Sequence, residues 1–587
     1  RRYSRGYAVP ADQTSPGGPW EQFAIPFLFA TNGRPFLRQL KDKSGIWFFD
    51  ARTPTVAARP LESWYTPDGL AAMLKQDHER AHAQLKVEPT EYLGLRDYQL
   101  AAIRAVEAAI ERGQRECLVA MATGTGKTRT CIGLTYRLLK TRRFRRVLFV
   151  VDRTLLGEQT GNAYKEVRLE SLKTFTDIYG MKELEDVTPD DDTRLHIATI
   201  QGLVKRILFP NDEADVPPVD QYDCIVVDEC HRGYLLDREM GDAEIDFRDE
   251  GDYFSKYRRV LDHFDAVKVG LTATPALPTT EIFGRPVFPY SYREAVLDDV
   301  LIDHEPPHQI VTALAEDGMH WRAGEKMAVY QPAAATIDTV TLADEVNLEI
   351  DSYNRRVVTE NFNRVVCAEL ARHIDPSLPG KTLIFCATDA HADMVVRLLK
   401  EALAAQYGEV EDAAVLKITG AADKPLQLVR RFKNERNPSI AVTVDLLTTG
   451  LDVPPISNIV FLRRVRSRIL YEQMLGRATR RCDEIGKEVF RIFDAVDLYA
   501  ALEPVNSMKP VVVDPKRSFA ALAGELATVK TPAARQLVLE QFIAKLGSKH
   551  RRIKGAAAEQ FEAVAGLTPA ALLAKLRSDT PTDAAAW

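Results

Sequence analysis

The chain has 587 residues, of which 45% are hydrophobic and 27% are charged, as in an ordinary globular protein. This composition excludes a wholly disordered, collagen-like or coiled-coil chain. Because 77 Lys and Arg stand against 83 Asp and Glu, the formal net charge is −6 and gives no support for a nucleic-acid partner. Any such binding has to come from local basic grooves. At about 100–200 residues per domain, the length predicts three to five domains.

The apolar runs and the cysteines indicate in which cellular compartment the protein is expected. The longest apolar runs, such as Val147 to Val151, are far shorter than the roughly 20 residues that cross a bilayer. The seven Cys are scattered without a C-x-x-C pair, which favours reduced thiols over disulfides or a zinc site. We therefore expect a cytoplasmic protein. The chain begins at Arg1 with neither Met nor a signal-peptide pattern, and we expect it to be a fragment of a longer protein.

In chain order, the sequence first predicts two strands, Ile25–Ala30 and Ile46–Phe49, before residue 92. From about 92 to 505, apolar runs of four to six residues alternate with helical patterns, which is typical of buried parallel strands in an α/β sheet. The clearest runs are 147–151, 224–228, 267–271, 382–386 and 440–444. The alternation forms two blocks, joined by a Pro-containing stretch of weaker pattern. Beyond 505, a period of 3.6 predicts helices at 534–546 and 569–576.

The first block contains a glycine-rich loop, M-A-T-G-T-G-K-T, at residues 121–128. It departs from G-x-x-x-x-G-K-[ST] only at its first position, and a helical pattern follows it. Glycines there permit the turn and let backbone N–H groups approach phosphate oxygens at a helix N-terminus. We expect Lys127 to reach the β- and γ-phosphates of ATP and Thr128 to hold Mg²⁺. The alternative is an ordinary strand–turn–helix connection. The predicted nucleotide contacts of the loop are Thr123, Gly124, Thr125, Gly126, Lys127 and Thr128.

Two adjacent carboxylates, Asp228 and Glu229, close the apolar run 224–228. They therefore lie at the carboxyl end of a predicted parallel strand, where open α/β sheets bind ligands. Asp228 would support Mg²⁺, and Glu229 would orient and polarise the attacking water. By itself such a pair is as often a helix cap or a solvated turn. Downstream of a phosphate loop, we prefer the catalytic interpretation.

The loop together with the D-E-C-H string at 228–231 resembles the superfamily 2 helicases and translocases. The remaining motifs of that superfamily follow in order, and they match residues 95–99, 152–153, 197–201, 271–275, 382–387, 448–452 and 473–480. The resemblance implies further nucleotide contacts at Arg96, Gln99, Gly450, Asp452 and Gln473. The Gln99 amide would read adenine, because an amide can pair with both N6 and N7.

The same resemblance implies two more groups of residues. Those that couple hydrolysis to motion would be His231, Thr272 and Thr274, and those that contact DNA phosphates would be Arg153, Gln201 and Thr448. Arg477 and Arg480 lie three apart in a predicted helix, so both are expected to face the same side. Aimed at the γ-phosphate, they would act as arginine fingers. The alternative is a surface helix with solvated basic residues.

Longer strings are similar to the R (restriction and translocation) subunit of type I restriction–modification enzymes. They match at 27–33, 228–234, 283–287, 290–296, 463–468 and 471–480. The resemblance implies an ATPase that translocates double-stranded DNA, with modification (methyltransferase) and specificity subunits as partners. The nuclease of this family uses an Asp and a Glu-x-Lys set, but no [DE]-x-K occurs in residues 1–95. We expect the nuclease site to lie upstream of Arg1.

Pattern and resemblance together predict an α/β fold with two RecA-like parallel-sheet motor domains in tandem. A remnant of a restriction-endonuclease-like α/β nuclease domain would precede them, and a helical segment would follow. The predicted segments are 1–60 (nuclease remnant), 61–91 (linker), 92–286 (first motor domain), 287–360 (connector), 361–505 (second motor domain) and 506–587 (start of a helical C-terminal region). Two other functions stay open, a stand-alone superfamily 2 DNA or RNA helicase and a nucleotide-gated DNA-binding scaffold.

Overall fold

The computed structural model describes residues 2–5, 7–8, 10, 17–37, 43–152, 154–184, 186, 188–212, 215–230, 250–310, 319–321, 326–331, 336–341, 346–348, 359–420, 422–444, 452–465 and 467–586. The chain forms two compact units. One comprises Arg1–Met121 and Gly126–Tyr290, and the other comprises Ala122–Thr125 and Ser291–Trp587. The bounds of the six predicted segments are not tested by this division and stay predictions.

The first unit begins with a small antiparallel sheet of three strands, β1 (Phe27–Thr31), β2 (Ile46–Asp50) and β3 (Arg59–Leu61). The two strands predicted before residue 92 are confirmed, and they pair with each other from Phe27↔Asp50 to Thr31↔Ile46. Alternate side chains of β2 face a small apolar core, which contains Phe48 and Tyr65. Two helices follow, Pro67–Leu74 and His78–Val87.

The centre of the first unit is a parallel sheet of seven strands among the described residues. These are β4 (Glu116–Met121), β5 (Val147–Val151), β6 (Gly180–Lys182), β7 (Thr193–Thr199), β8 (Cys224–Val227), β9 (Val267–Thr272) and β10 (Pro286–Tyr290). Their order is β10-β4-β9-β8-β5-β7-β6, and every pairing is parallel. The predicted runs at 147–151, 224–228 and 267–271 are confirmed as strands, and their side chains are buried because helices cover both faces.

The longer helices of the first unit connect these strands. Their bounds are Asp97–Glu111, Lys127–Lys140, Thr154–Glu166, Ile200–Leu208, Glu250–His263 and Leu277–Phe283. The 3₁₀ turns are Glu91–Leu93, Glu170–Leu172 and Phe175–Asp177, and a one-turn helix spans Arg2–Arg5. The helix predicted after the glycine-rich loop is therefore confirmed.

A buried carboxylate joins the N-terminal segment to the parallel sheet. Asp265, just before β9, accepts from Arg59 Nε at 2.5 Å and from Arg115 at 2.7 Å, and the Tyr65 hydroxyl also donates to it. Burial alone would raise the pKa of Asp265, but the guanidiniums of Arg115 and Arg59 hold this pKa well below its usual value. The carboxylate therefore stays charged in the interior and is matched by two cations.

The second unit is built on another parallel sheet. Its strands are β11 (Asp303–His304), β12 (His308–Gln309), β17 (Lys381–Phe385), β18 (Val415–Lys417), β19 (Ile440–Thr443), β20 (Ile456–Phe461) and β21 (Val489–Asp494). The order is β11-β21-β20-β17-β19-β18, with β12 also on β21, and all pairings are parallel. The predicted runs at 382–386 and 440–444 are confirmed as central strands. Between β12 and β17, β13 (Met319–Trp321) pairs with β16 (Val346–Leu348), and β14 (Lys326–Gln331) pairs with β15 (Thr336–Thr341).

Parts of the predicted connector thus have a structural role that its weak pattern did not indicate. Strand β10 extends the first sheet, and β11 and β12 extend the second. The strands β11 and β12 have only two residues each. A two-residue strand is too short to show the alternation from which strands are predicted.

Helices complete the second unit. They are Tyr292–Leu297, Glu360–His373, Asp389–Tyr407, Pro425–Asn434, Arg468–Leu475, Leu498–Leu502, Phe519–Thr528, Pro532–Lys549, Ala556–Ala565, Pro569–Ser578 and Pro581–Ala586, with 3₁₀ turns at Asp412–Ala414, Asp483–Ile485 and His550–Arg552. The helices predicted at 534–546 and 569–576 are confirmed. The C-terminal helices share an apolar core that includes Leu539, Ile543 and Leu572. Within the described part of the chain, none of the helices has the length and apolarity to span a bilayer.

The Asp265 cluster allows a test of how the N-terminal segment is held. We expect Asp265→Asn to lower the free energy of unfolding by about 3 kcal/mol, because it leaves two half-buried guanidiniums without their anion. The measurement is denaturant unfolding at pH 7. As a control, Glu111→Gln breaks the exposed pair with Lys86 and is expected to cost less than about 0.5 kcal/mol.

The same cluster predicts a pH dependence. Since the folded pKa of Asp265 is depressed, its contribution is complete above the unfolded pKa of about 3.9 and is lost as the pH falls below it. The loss of stability on acidification should therefore be smaller in Asp265→Asn than in the wild type. Equal losses in both proteins would contradict the assignment.

Candidate nucleotide-binding site

The glycine-rich loop lies between the end of β4 at Met121 and the start of the next helix at Lys127. Gly124 and Gly126 have φ values of +98° and +79°, a region that L side chains rarely adopt. A Cβ on Gly126 would also lie 2.7 Å from the Gln99 amide nitrogen. Glycine is therefore required at Gly126 for both its backbone angle and its close neighbour. Inside the loop, the Thr125 hydroxyl donates to the carbonyl of Ala122 at 2.7 Å.

Lys127 and the carboxylates after β8 meet at one edge of the sheet. Lys127 is 8% exposed, and its Nζ lies 3.5 Å from Glu229 Oε1. The backbone N–H of Asp228 donates to Val150 and extends the ladder by one residue, and Asp228 Oδ1 accepts from the N–H of Glu229. Glu229 has a φ of +46°, so the chain bends sharply at the residue that pairs with the lysine. The structure thus brings Lys127, Asp228 and Glu229 together, and their catalytic roles stay predictions.

The charges at this edge are unequal. One ammonium, Lys127, lies near two carboxylates, so an added phosphate anion needs a further cation to be neutralised. A divalent ion held by oxygen ligands meets this need, and Asp228 and the half-buried Thr128 are oxygen donors of the type that Mg²⁺ prefers. The residues present therefore fit a nucleotide with Mg²⁺.

Two buried thiols border the carboxylates and are chemically inert. Burial, and after it the Asp228 carboxylate, raises the pKa of Cys131 well above its usual value. Burial and Glu229 do the same to the pKa of Cys230. Neither thiol forms a thiolate at neutral pH, so neither supplies a nucleophile or a soft metal ligand here.

Gln99, the predicted adenine reader, holds the loop in this structure. Its Oε1 accepts from the backbone N–H of Arg96 at 3.0 Å, and its Nε2 donates to the carbonyl of Gly126 at 3.2 Å. The side chain is only 5% exposed, whereas Arg96 is exposed. The amide thus caps the helix Asp97–Glu111 and braces the phosphate loop. Its adenine contact stays a prediction.

The predicted coupling and DNA residues of the first unit lie beside the same strand ends. Thr272 ends β9, and its hydroxyl accepts from the N–H of Thr274; both side chains are buried. Gln201 follows β7, is exposed, and donates to Asp152 beyond β5 at 3.4 Å. His231 and Arg153 lie outside the described residues, so their predicted roles have no structural counterpart here.

In the second unit, Arg480 contacts two predicted nucleotide residues. Its guanidinium donates to the carbonyl of Gly124, and its Nε lies 3.0 Å from Asp452 Oδ1. Arg477 Nε donates to the carbonyl of the buried Gln473 at 3.3 Å. Thr448 and Gly450 lie outside the described residues.

The helix predicted to carry both arginines is wrong in its extent. It spans Arg468–Leu475 and ends at Gly476, whose low helix propensity favours termination. A tight turn follows, with Arg477 N donating to Met474 and Ala478 N donating to Leu475. Arg477 and Arg480 are therefore not neighbours on one helix face, and the two guanidiniums have different partners.

Two features were not identified from the sequence. Lys487 is buried and donates to the carbonyl of Arg480, but a single lysine seven residues downstream of this arginine carries no pattern that would have revealed it. A group of His308, Glu369 and His373 has ligand atoms within 4.8 Å of one another and could hold a metal ion. The i,i+4 spacing of Glu369 and His373 is a signal, but His308 comes from a distant strand. The group is partly exposed, and a 3.0 Å hydrogen bond links His373 to Glu369.

Three family models match this chain. Residues 92–277 match "Type III restriction enzyme, res subunit", and residues 364–482 match "Helicase conserved C-terminal domain". Residues 1–74 match "Type I restriction enzyme EcoKI endonuclease subunit second domain". The first two matches contain the phosphate loop and the Arg477–Arg480 turn, respectively, so each of the two parallel sheets has a helicase-like match.

Whole-chain similarity points in the same direction. The chain is 49% identical over 536 residues to the EcoKI endonuclease subunit of Escherichia coli strain K12, which covers 89% of this chain and 45% of that protein. It is 29% identical over 497 residues to the EcoAI endonuclease subunit of Escherichia coli, covering 81% and 55%. A solved fragment of a candidate HsdR subunit of a type I restriction enzyme from Vibrio vulnificus YJ016 has 23% identity and a TM-score of 0.48, covering 84% of this chain and 79% of that one. By its two sequence matches, the chain is a relative of the endonuclease subunits of type I restriction enzymes, and it spans about half the length of these curated proteins.

Proposed function

We propose that this chain is the ATP-dependent motor part of a type I restriction enzyme endonuclease subunit, which translocates double-stranded DNA before cleavage. The observation that carries the proposal is the ion pair of Lys127 with Glu229 at the edge of a parallel sheet, directly after a glycine-rich loop. A lysine at a helix N-terminus and a carboxylate beside it are the two groups that phosphate transfer to water requires. The 49% identity to the EcoKI endonuclease subunit supports the restriction-enzyme context.

The residues of the first unit would each have a separate role in ATP hydrolysis. Lys127 and the N–H groups of the loop bind and neutralise phosphate oxygens, and Thr128 and Asp228 are the oxygen donors for Mg²⁺. Glu229 holds the attacking water by accepting its proton in a hydrogen bond. ATP with Mg²⁺, when bound, supplies the phosphoanhydride whose hydrolysis releases the free energy for motion.

The second unit would supply cations for the transition state. Arg480 and Arg477 would stabilise the charge that develops on the transferred phosphoryl group, with Asp452 and Gln473 orienting them or the nucleotide. Arg480 is the stronger candidate of the two, because its guanidinium already donates to the loop carbonyl of Gly124. Thr272, Thr274 and His231 would transmit the state of the nucleotide to the rest of the motor.

The DNA contacts and the partners complete the proposal. A motor that tracks DNA binds phosphates, which carry no sequence information, and Gln201, Arg153 and Thr448 are the proposed contacts. Modification and specificity subunits would form the complex with the full-length protein in the cytoplasm. The nuclease residues are expected outside the 587 residues, so this chain by itself is proposed to move on DNA without cutting it.

The catalytic assignment predicts the behaviour of two variants. Lys127→Ala should weaken ATP binding, because the phosphates lose their buried cation. Glu229→Gln should still bind ATP but should lower DNA-stimulated kcat at least 100-fold, since an amide does not act as a base. Phosphate release and binding of a fluorescent ATP analogue measure the two effects. Lys86→Ala, which changes an exposed lysine, is the control. Full turnover by Glu229→Gln would remove the assignment.

The loop geometry predicts a second pair of variants. Gly126→Ala combines a φ of +79° with a Cβ 2.7 Å from the Gln99 amide, so it should displace Gln99 and weaken nucleotide binding more than tenfold. Gly566→Ala also changes a glycine in the left-handed region, with a φ of +69°, but no atom lies within 4 Å of the new Cβ. It should therefore show only the backbone cost, about 1–2 kcal/mol of stability, with unchanged nucleotide affinity. Equal nucleotide affinities in the two variants would contradict the role of the loop.

Translocation on duplex DNA is distinguished from strand separation by which DNA strand the protein displaces. A duplex tracker should remove the third strand of a DNA triplex in an ATP-dependent reaction and leave a forked duplex paired. A stand-alone helicase should unwind the fork instead. A nucleotide-gated scaffold should bind DNA and show no DNA-stimulated phosphate release. Glu229→Gln is the control for ATP dependence in both displacement assays.

A further inference from the structure

Lys487 is a buried lysine whose three hydrogen bonds all go to backbone carbonyls. Its Nζ donates to Ala478 at 2.7 Å, to Arg480 at 2.8 Å and to Pro454 at 2.9 Å. An ammonium has three N–H donors, so this arrangement uses each of them once. Burial lowers the pKa of Lys487 to about 7. Burying a lysine is unfavourable unless its amine is hydrogen-bonded, and the three carbonyls supply these hydrogen bonds.

The carbonyls belong to the two segments that carry one ion pair. Ala478 and Arg480 lie in the turn after the helix Arg468–Leu475, and Pro454 lies two residues after Asp452. Arg480 and Asp452 pair at 3.0 Å. A single ammonium therefore fixes the backbone beneath both members of this pair. The intervening carbonyl, that of Thr479, accepts from the backbone N–H of Ile302 at 2.9 Å, so three successive carbonyls of the turn are held.

The Arg480–Asp452 pair does not fix this geometry by itself. The two side chains are 31% and 52% exposed, and exposed pairs of this kind are screened by water and contribute little to stability. Lys487, at 9% exposure, is shielded from water, and hydrogen bonds in such a low-dielectric interior are electrostatically stronger than those at the surface. The hydrogen bond from Lys487 therefore holds the backbone of Arg480 in position.

We propose that Lys487 is a positioning residue for Arg480, holding its backbone so that the guanidinium meets the transition state. The proposal rests on the proposed function of Arg480 as a phosphate-facing arginine. The side chain of Lys487 donates to the backbone of Pro454, Ala478 and Arg480, so it acts on the two segments and not on a phosphate. Its effect on catalysis is expected to pass through Arg480, which is paired with Asp452 on the other segment that Lys487 holds.

The chain offers a matched control. Lys381, at the start of β17, is 5% exposed and also donates to three backbone carbonyls, those of Glu435, Arg436 and Pro438. Burial lowers its pKa to about 8. The chemistry of the two lysines is thus the same, but the loop that Lys381 holds carries no residue of the proposed site. Any loss of stability that comes from removing a buried lysine should therefore appear in variants of both Lys487 and Lys381.

The experiment is a double-mutant cycle on the 587-residue chain with duplex DNA. The variants are Lys487→Met, Lys381→Met and Arg480→Ala, with each lysine change also combined with Arg480→Ala. The readouts are kcat and KM for ATP, and the affinities for ADP and for ADP–aluminium fluoride, which mimics the transition state. Melting temperatures report the stability of each variant. Lys487→Gln, which keeps part of the donor set, replaces Lys487→Met if the latter does not fold.

We expect Lys487→Met to lower kcat and the affinity for ADP–aluminium fluoride at least tenfold, with KM and ADP affinity changed less than twofold. In the Arg480→Ala background, the same change should alter these values less than twofold, because residues that act as one unit are not additive. Lys381→Met should lower the melting temperature to a similar extent and change kcat less than threefold in either background.

Two results would overturn the proposal. One is an equal fold loss from Lys487→Met with and without Arg480, and the other is an equal loss of kcat from Lys381→Met. Failure of the proposed function is recognised separately, because Arg480→Ala alone would then keep full ATP turnover and its full affinity for ADP–aluminium fluoride.

Discussion

The candidate site depends on one geometric constraint, the common direction of the strands in the first sheet. Because β4 and β8 are parallel and separated only by β9, their carboxyl ends lie at one edge, roughly two strand spacings or about 10 Å apart. The loop after β4 brings Lys127 to this edge, and the sharp bend at Glu229 turns its carboxylate back toward the lysine. The 3.5 Å pair is thus a consequence of strand order together with two unusual backbone positions.

The Lys127–Glu229 pair also indicates how a bound phosphate would change the charges of the site. Lys127 is buried, so its charge needs an anion, and Glu229 is the anion in this structure. A phosphate at Lys127 would take over this neutralisation and leave the Glu229 carboxylate to act on water. Gln99 faces a similar exchange, since both ends of its amide are already used by Arg96 and Gly126. A base that binds Gln99 has to share or replace these two hydrogen bonds, because an amide oxygen has two lone pairs and an amide nitrogen has two N–H groups.

The sequence predicted what depends on local pattern. Buried strands, the helix after the loop and the C-terminal helices were found because their apolar periods are long, and Gly124 and Gly126 have the angles that their position implied. Two-residue strands such as β11 were missed because they are shorter than any period. The helix before Arg477 is shorter than predicted, because Gly476 ends it despite the favourable residues before it. Lys487 was missed because its partners are backbone carbonyls, which no side-chain pattern reports.

The Asp265 cluster has a consequence for how the first unit can be divided. Its carboxylate is shared by Arg115, next to β4, and by Arg59 and Tyr65 of the N-terminal segment. A protein trimmed to begin near residue 92 would retain the acid and lose two of its three donors. The segment before the phosphate loop is therefore an integral part of the folding unit and not a detachable arm, and a force applied to it would act on the start of β9, the strand that ends at Thr272.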